Sequence, residues 1–106
     1  MAADFLEKKG VLILERNFRC RQGEIDLICR DGEYLVFVEV KYRRNNQKGA
    51  PQEAVGTAKQ KKICLVGAYY RMLHHLGNDT AVRYDVIAIE GEEIQWIPNA
   101  FPHRLK

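Results

Sequence analysis

The run Leu35-Val36-Phe37-Val38-Glu39-Val40-Lys41 constrains the fold more than any other segment of this chain. Continuous β-branched and aromatic residues of this kind belong to a strand covered on both faces, in the interior of a sheet. An ionised carboxylate is costly there unless it is paired or bound to a cation. Glu39 and Lys41 stand two residues apart, so strand alternation sends both side chains to one face. A second apolar stretch carrying acids, Glu24-Ile25-Asp26-Leu27-Ile28, comes shortly before, and Asp31-Gly32 between them is a strong hairpin signal.

The remaining elements follow from periodicity and punctuation. Residues 2–9 carry the end of an amphipathic helix that stops at Gly10. Val11 to Leu14 is a buried strand that can continue through Arg16 and Phe18, Glu24 to Arg30 is the second strand, and Tyr34 to Tyr42 is the third. Arg43 to Ala50 is a polar, Gly-containing loop, and Pro51 can open a helical turn. Thr57-Ala58-Lys59-Gln60 matches a capping box after Gly56. An apolar stripe of Val55, Ala58, Leu65, Val66, Tyr69, Met72, Leu73 and Leu76 then runs to Gly77. Strands at Val82–Ile89 and Ile94–Ile97 complete the chain. The order α-β-β-β-α-β-β predicts an α/β fold with a mixed sheet, because the long helix between strands three and four permits a parallel crossover.

Two hairpin registers are open. One pairs Arg30 with Glu33, and so Glu24 with Glu39; the other pairs Arg30 with Leu35, and so Asp26 with Glu39. Both keep parity, so both place Glu24, Asp26, Glu39 and Lys41 on one face and Ile25, Leu27, Val36, Val38 and Val40 on the other. Three carboxylates on one face repel unless something positive lies between them. A hard divalent cation, Mg²⁺ or Mn²⁺, is one candidate, since such ions take one or two carboxylates, waters and a phosphate oxygen. A cross-strand ion pair of Lys41 with Glu24 or Asp26 is the other.

Charge distribution points to the partner. The net charge is +3. Between Lys41 and Lys62 seven basic residues face one acid, Glu53, so this segment carries a surplus of six and the rest of the chain is net acidic. A positive surface beginning at the acidic strand suits a phosphate backbone, and a plain solvated face is the competing reading. Arg43 and Arg44 are best placed for a strand approaching Glu39. Lys59, Lys61 and Lys62 point in different directions around their helix.

Other features exclude more than they suggest. Cys20, Cys29 and Cys64 make neither a disulfide framework nor a zinc motif, and fit plain thiols in a reducing compartment. His74 and His75 are neighbours on a helix and diverge, which suits an interaction with the helix C-terminus better than a metal. No apolar run approaches the roughly 20 residues that span a bilayer, so no membrane partner is expected. The N-terminus lacks the pattern of a secretory signal, so the cytoplasm is the expected location. Asp85 suits a structural hydrogen-bonding role, and Trp96 and Phe101 suit packing.

The ordered series Gly23-Glu24-Ile25-Asp26-Leu27-Ile28, Asp31-Gly32, Leu35 to Lys41, Ala54-Val55, Lys59-Gln60, Arg83-Tyr84-Asp85-Val86 and Asn99-Ala100-Phe101 resembles the bacterial UPF0102 (YraN-like) family. That family is placed in the PD-(D/E)xK nuclease superfamily and is similar to archaeal Holliday junction resolvases. The resemblance implies a restriction-endonuclease-like core. It also implies a Mg²⁺- or Mn²⁺-dependent endonuclease acting on DNA, with branched DNA as the substrate class and a weak homodimer as the working form. By the same resemblance Asp26 and Glu39 are metal ligands, the Val40 carbonyl is a third, and Lys41 is the catalytic lysine. Glu24 completes the acidic set of catalytic candidates. Gln60 matches a helical Gln that resolvase-like members place near the site, a role that competes with its capping box. Arg43, Arg44, Lys59 and Gln60 are the nucleic-acid-binding candidates. Family members carry a Gly-Glu pair just upstream of the pattern seen at Ala2-Ala3-Asp4-Phe5-Leu6. Residues 1–106 are therefore expected to be a single nuclease-like domain without the start of that helix. A non-catalytic nucleic-acid-binding module on the same fold is the alternative, and a protein whose basic loop docks an acidic partner is a third.

Overall fold

The computed structural model describes residues 1–43 and 55–103. Helix α1 (Ala2–Lys8) leads into a meander of β1 (Leu12–Cys20), β2 (Gly23–Asp31) and β3 (Tyr34–Tyr42). Helix α2 (Thr57–Leu73) crosses to β4 (Val82–Glu90), which pairs with β5 (Glu93–Ile97). The sheet order is β1-β2-β3-β4-β5, and only β3–β4 is parallel, with Leu35 beside Val82 and Tyr42 beside Ile89. This is the α/β order expected from the sequence, with the crossover helix where a parallel pair requires one. No helix among the described residues is long and apolar enough to cross a membrane.

The sheet divides two cores. Leu35 and Phe37 of β3 join Ile63, Cys64, Val66 and Tyr70 of α2 on one face. Val36 and Val38 join Ala2, Ala3 and Leu6 of α1 on the other. Strand β3 is thus buried on both sides, as its uninterrupted apolar run requires. Helix α1 ends where Gly10 N–H reaches the Glu7 carbonyl and Val11 N–H the Leu6 carbonyl, both at 3.0 Å. Val11 then packs in the same core as Leu6.

Three local expectations change. The β2–β3 hairpin pairs Asp31 with Tyr34, so its loop is Gly32-Glu33 rather than Asp31-Gly32. Gly32 adopts φ 61°, the left-handed conformation a II′ turn demands at its first central residue. The capping box does not form: Gly56 is the N-cap of α2 without a side-chain cap bond, and Gln60 instead donates from Nε2 to the Val55 carbonyl at 2.9 Å. The stripe predicted for α2 is also displaced, because Leu65, Met72 and Leu73 are exposed. The helix is apolar on more than one side, and the face that packs is the one with the small residue. A Cβ on Gly67 would lie 3.0 Å from the Phe37 ring, so only glycine lets helix and strand approach this closely. The expected opening turn at Pro51 lies outside the described residues.

Phe37 cannot yield at that contact. It is fully buried, stacked on Tyr84 (5.5 Å between ring centres) and edge-on to Tyr70 (6.0 Å). Gly67→Leu is expected to cost about 2 kcal/mol by overpacking. A urea midpoint equal to that of the parent protein would show that the core has room there.

The buried Asp85 is structural, as its sequence context suggested. It accepts from Arg83 Nε (3.0 Å) and Nη2 (2.9 Å), from Trp96 Nε1 (2.9 Å) and from the Asn99 backbone N–H (2.9 Å). Trp96 packs against the α1-side core, and Phe101 stacks on Tyr84 at 5.3 Å, so both serve packing. The His74 ring lies tilted against Tyr70 at 4.2 Å and 3.8 Å from Glu15, and His75 takes a left-handed φ of 56°.

Candidate functional site

The site forms where β2 and β3 part. Their ladder runs from Asp31↔Tyr34 to Leu27↔Val38 and stops there. In that register Asp26 comes level with Glu39, which selects the second of the two hairpin alternatives. The next bond is not backbone to backbone. Asp26 Oδ2 accepts the Val40 N–H at 2.7 Å, so a carboxylate replaces the strand that has moved away. On the other side of β2 the β1 ladder passes from Arg16↔Leu27 to Phe18↔Ile25, leaving out Asn17 opposite Asp26, and Asn17 takes φ 52°.

This break overturns the parity expected from alternation. Ile25 and Phe18 belong to the α2-side core, whereas Leu27 belongs to the α1-side core, so both strands exchange faces at Asp26 and Asn17. Ile25 therefore does not share a face with Val36 and Val38. Asp26 sits at the exchange point and borders two cavities, of about 310 Å³ on the α1 side and about 280 Å³ on the α2 side. Glu24, Glu39, Val40, Lys59 and Lys62 line the second with it.

Glu39 is buried, its side chain 5 % exposed. Removal from water pushes its carboxyl up to about 7, the adjoining Asp26 carboxyl adds to the rise, and the Lys59 ammonium works against it. Lys59 Nζ lies 2.5 Å from Glu39 Oε2. The approach is outside hydrogen-bonding geometry, so among the described residues Oε2 has a charge beside it but no aligned donor. Contact with Glu39 in turn raises the Lys59 pKa, with burial opposing. The pair is lopsided: Lys59 is 52 % exposed and gains from the contact, while for Glu39 the loss of water outweighs it.

The other candidates are distributed as follows. Lys41 lies level with Ala88 of β4, and alternation along β3 gives it the Glu39 side. Among the described residues it pairs with neither Glu24 nor Asp26, so the cross-strand ion pair that was the alternative to a cation is absent there. Glu24 pairs instead with Arg19, at 2.8 Å on the exposed edge. Gln60 holds the Val55 carbonyl and keeps its Oε1 buried without a partner among the described residues. Arg43 donates its backbone N–H to the Ile89 carbonyl (2.8 Å) and lines a separate cavity with Glu90 and Glu93. Arg44 lies outside the described residues.

Lys59 on Glu39 is the contact that sequence reasoning missed. The signal was available in the spacing: Lys59 precedes the buried Ile63 by one helical turn, so both occupy the sheet-facing side of α2.

Chemically, Asp26 and Glu39 offer two hard oxygen donors at one point. Within a strand a residue's N–H and C=O leave on the same side, so the Val40 carbonyl is directed toward the gap that Asp26 fills. No cluster of three or more His, Cys, Asp or Glu suited to a metal occurs among the described residues. Two carboxylates and a carbonyl still fit a cation that keeps several waters, and Glu39 Oε2, without an aligned donor among the described residues, is an oxygen such a cation could satisfy.

Comparison with known proteins gives a consistent family. The profile of "Uncharacterised protein family UPF0102" matches residues 1–89. A "UPF0102 protein" of Lachnoclostridium phytofermentans is 49% identical over 100 residues, covering 94% of this chain and 85% of the relative. One from Syntrophus aciditrophicus is 49% identical over 105 residues, covering 95% and 82%. One from Aeromonas hydrophila is 46% identical over 102 residues, covering 95% and 78%. The chain belongs to the UPF0102 family.

Proposed function

We propose that this protein is a divalent-metal-dependent DNA endonuclease that hydrolyses phosphodiester bonds, with branched DNA as its substrate class. The observation that carries the reading is the Asp26–Glu39 pair: two carboxylates at the opened end of the β2–β3 ladder, one of them buried, its Oε2 met by the Lys59 ammonium without hydrogen-bond alignment among the described residues. Carboxylates placed for structure alone are hydrogen-bonded, as Asp85 is four times over. When bound, Mg²⁺ or Mn²⁺ would polarise the phosphate and lower the pKa of a water. Asp26 and Glu39 would hold it with the Val40 carbonyl, and the Val40 N–H fixes the orientation of Asp26. Lys41 stands on the Glu39 side of β3 to position the attacking water or offset charge at phosphorus. Lys59 and Lys62 line the same cavity and would hold the phosphate backbone, and Arg43 and Arg44, which follow β3 in the sequence, are the further basic candidates for it. The reading takes the cytoplasm as its setting and a weak homodimer as its working form, because two symmetric cuts need two sites.

Incubation with a four-way junction and a linear duplex, each with Mg²⁺, with Mn²⁺ and with chelator, tests the reading. Cleavage is expected only with metal, and Lys41→Ala is expected to lower it at least about 100-fold while leaving DNA binding within about twofold. Cleavage that persists in chelator, or that Lys41→Ala leaves unchanged, would reject it.

A non-catalytic nucleic-acid-binding module is the second reading, and the Lys59–Glu39 contact favours it by giving Glu39 an internal partner. Junction binding without metal-dependent cleavage would select it.

A further inference from the structure

Lys59 stands where a cation belongs. Its ammonium meets Glu39 at Oε2, a buried oxygen with no aligned donor among the described residues. Among the described residues it has no other ion-pair partner. We propose that Lys59 is a resident counter-cation of the Asp26–Glu39 pair, which occupies the site in its metal-free form and leaves when a divalent cation enters. The inference rests on the metal-dependent reading above and concerns how the site is loaded.

Two features of the contact support it. Lys59 is held at one end only: its side chain is half exposed, so its flexible four-carbon stem has solvent to swing into. A purely structural lysine would be locked by further acceptors, as Arg83 is by Asp31 and Asp85. Second, an ammonium and a divalent cation on the same carboxylate oxygen repel each other, so they are alternatives rather than neighbours. Once displaced, the ammonium lies at the cavity wall beside Lys62, where an approaching phosphate would need a positive charge. Loading the metal would thereby free a lysine for the nucleic acid.

The test is a calorimetric titration of Mg²⁺ into the whole chain at pH 8.5, comparing the parent with Lys59→Met and Lys62→Met. Lys62→Met removes an equal charge from the same cavity but none that touches Glu39. Both sites are on a helix surface, where Met has good helix propensity. Lys59→Met is expected to bind Mg²⁺ about tenfold more tightly and Lys62→Met less than about threefold, since a competitor at contact outweighs a charge further off. Equal tightening in the two variants would reduce the effect to a general field. Unchanged or weaker binding in Lys59→Met would overturn the displacement. Absence of binding in all three proteins, with Glu39→Gln as the blank, would overturn the metal-dependent reading and this inference together. Binding in the parent without a gain in Lys59→Met overturns this inference alone.

Discussion

Replacing Glu39 by Gln is expected to stabilise the metal-free protein near pH 8 while abolishing the metal-dependent DNA cleavage proposed above. The stability change follows from proton linkage. In the unfolded chain the carboxyl titrates near its ordinary value of 4.5, and in the fold it is pushed up to about 7, chiefly by burial. Between these values the folded state holds a proton that the unfolded state has released. The stability this contributes is therefore fully present below pH 4.5 and is lost as pH rises through about 7. Gln keeps the shape without the titration. At pH 8 in chelator the variant should exceed the parent by about 2 kcal/mol, after allowance for the lost and half-exposed Lys59 contact. Its stability should lack the decline that the parent shows from pH 4.5 to 7. Cleavage in Mg²⁺ should fall at least about 1,000-fold, because a neutral amide is a poor ligand for a hard cation. Urea unfolding across pH, run beside the junction assay, checks both halves. Parallel pH–stability curves for the two proteins would contradict the burial argument, and retained cleavage would contradict the ligand role.

Asp85→Ala should be the most damaging single substitution away from the site, at about 3–5 kcal/mol. Four hydrogen bonds converge on a carboxylate that is completely buried. They join β4 to Trp96 of β5 and to Asn99, which is held at φ 53°. Arg83 extends the network to Asp31 at the end of β2, and its guanidinium lies over the rings of Tyr34 (5.2 Å) and Trp96 (5.9 Å). Its pKa is raised first by the Asp85 contact, with burial acting against it. Without Asp85 the guanidinium remains half-buried with one carboxylate instead of two. A domain of this length has a total stability of about 5–15 kcal/mol, so the variant should populate unfolded molecules measurably at 37 °C. A loss below about 1 kcal/mol by urea unfolding would mean that water replaces the network at little cost.

Hydrophobic patterning made the fold legible because it reports burial on each face of an element. Val36 and Val38 against Leu35 and Phe37 required cover on both sides of β3, and two helices on opposite faces supply it. The length of α2 accounted for the parallel pair. The signal fails where an element has more apolar surface than its neighbour can cover. Helix α2 presents Leu65, Met72 and Leu73 as well as Ile63, Val66 and Tyr70, and periodicity cannot say which row meets the sheet. Gly67 could have decided it, since a small residue marks the row of closest approach.

The site was legible in its membership and not in its geometry. Asp26 and Glu39 come together as expected, but by way of a ladder break rather than simple alternation. A left-handed Asn17 on a neighbouring strand reverses the faces there, and parity arguments do not see such a residue. Lys41 was expected to be the lysine beside the carboxylates. Lys59 takes that place because helix α2 folds back over the sheet, a long-range event with no local signature beyond its spacing to Ile63.

The parallel pairing of β3 with β4 also orders events in time. Leu35 must find Val82, whereas Arg30 meets Leu35 across a short turn. Contacts close in sequence form with the smaller loss of chain entropy, so the β1–β2–β3 meander is expected to assemble ahead of β4. Asp26 and Glu39 both lie within that meander, and Lys59 lies beyond it. During synthesis the two carboxylates would thus emerge from the ribosome and become neighbours before their lysine exists. For that interval Lys59 cannot balance them, so the meander's own Lys41, protons and solvent cations are the positive charges within reach of the two carboxylates.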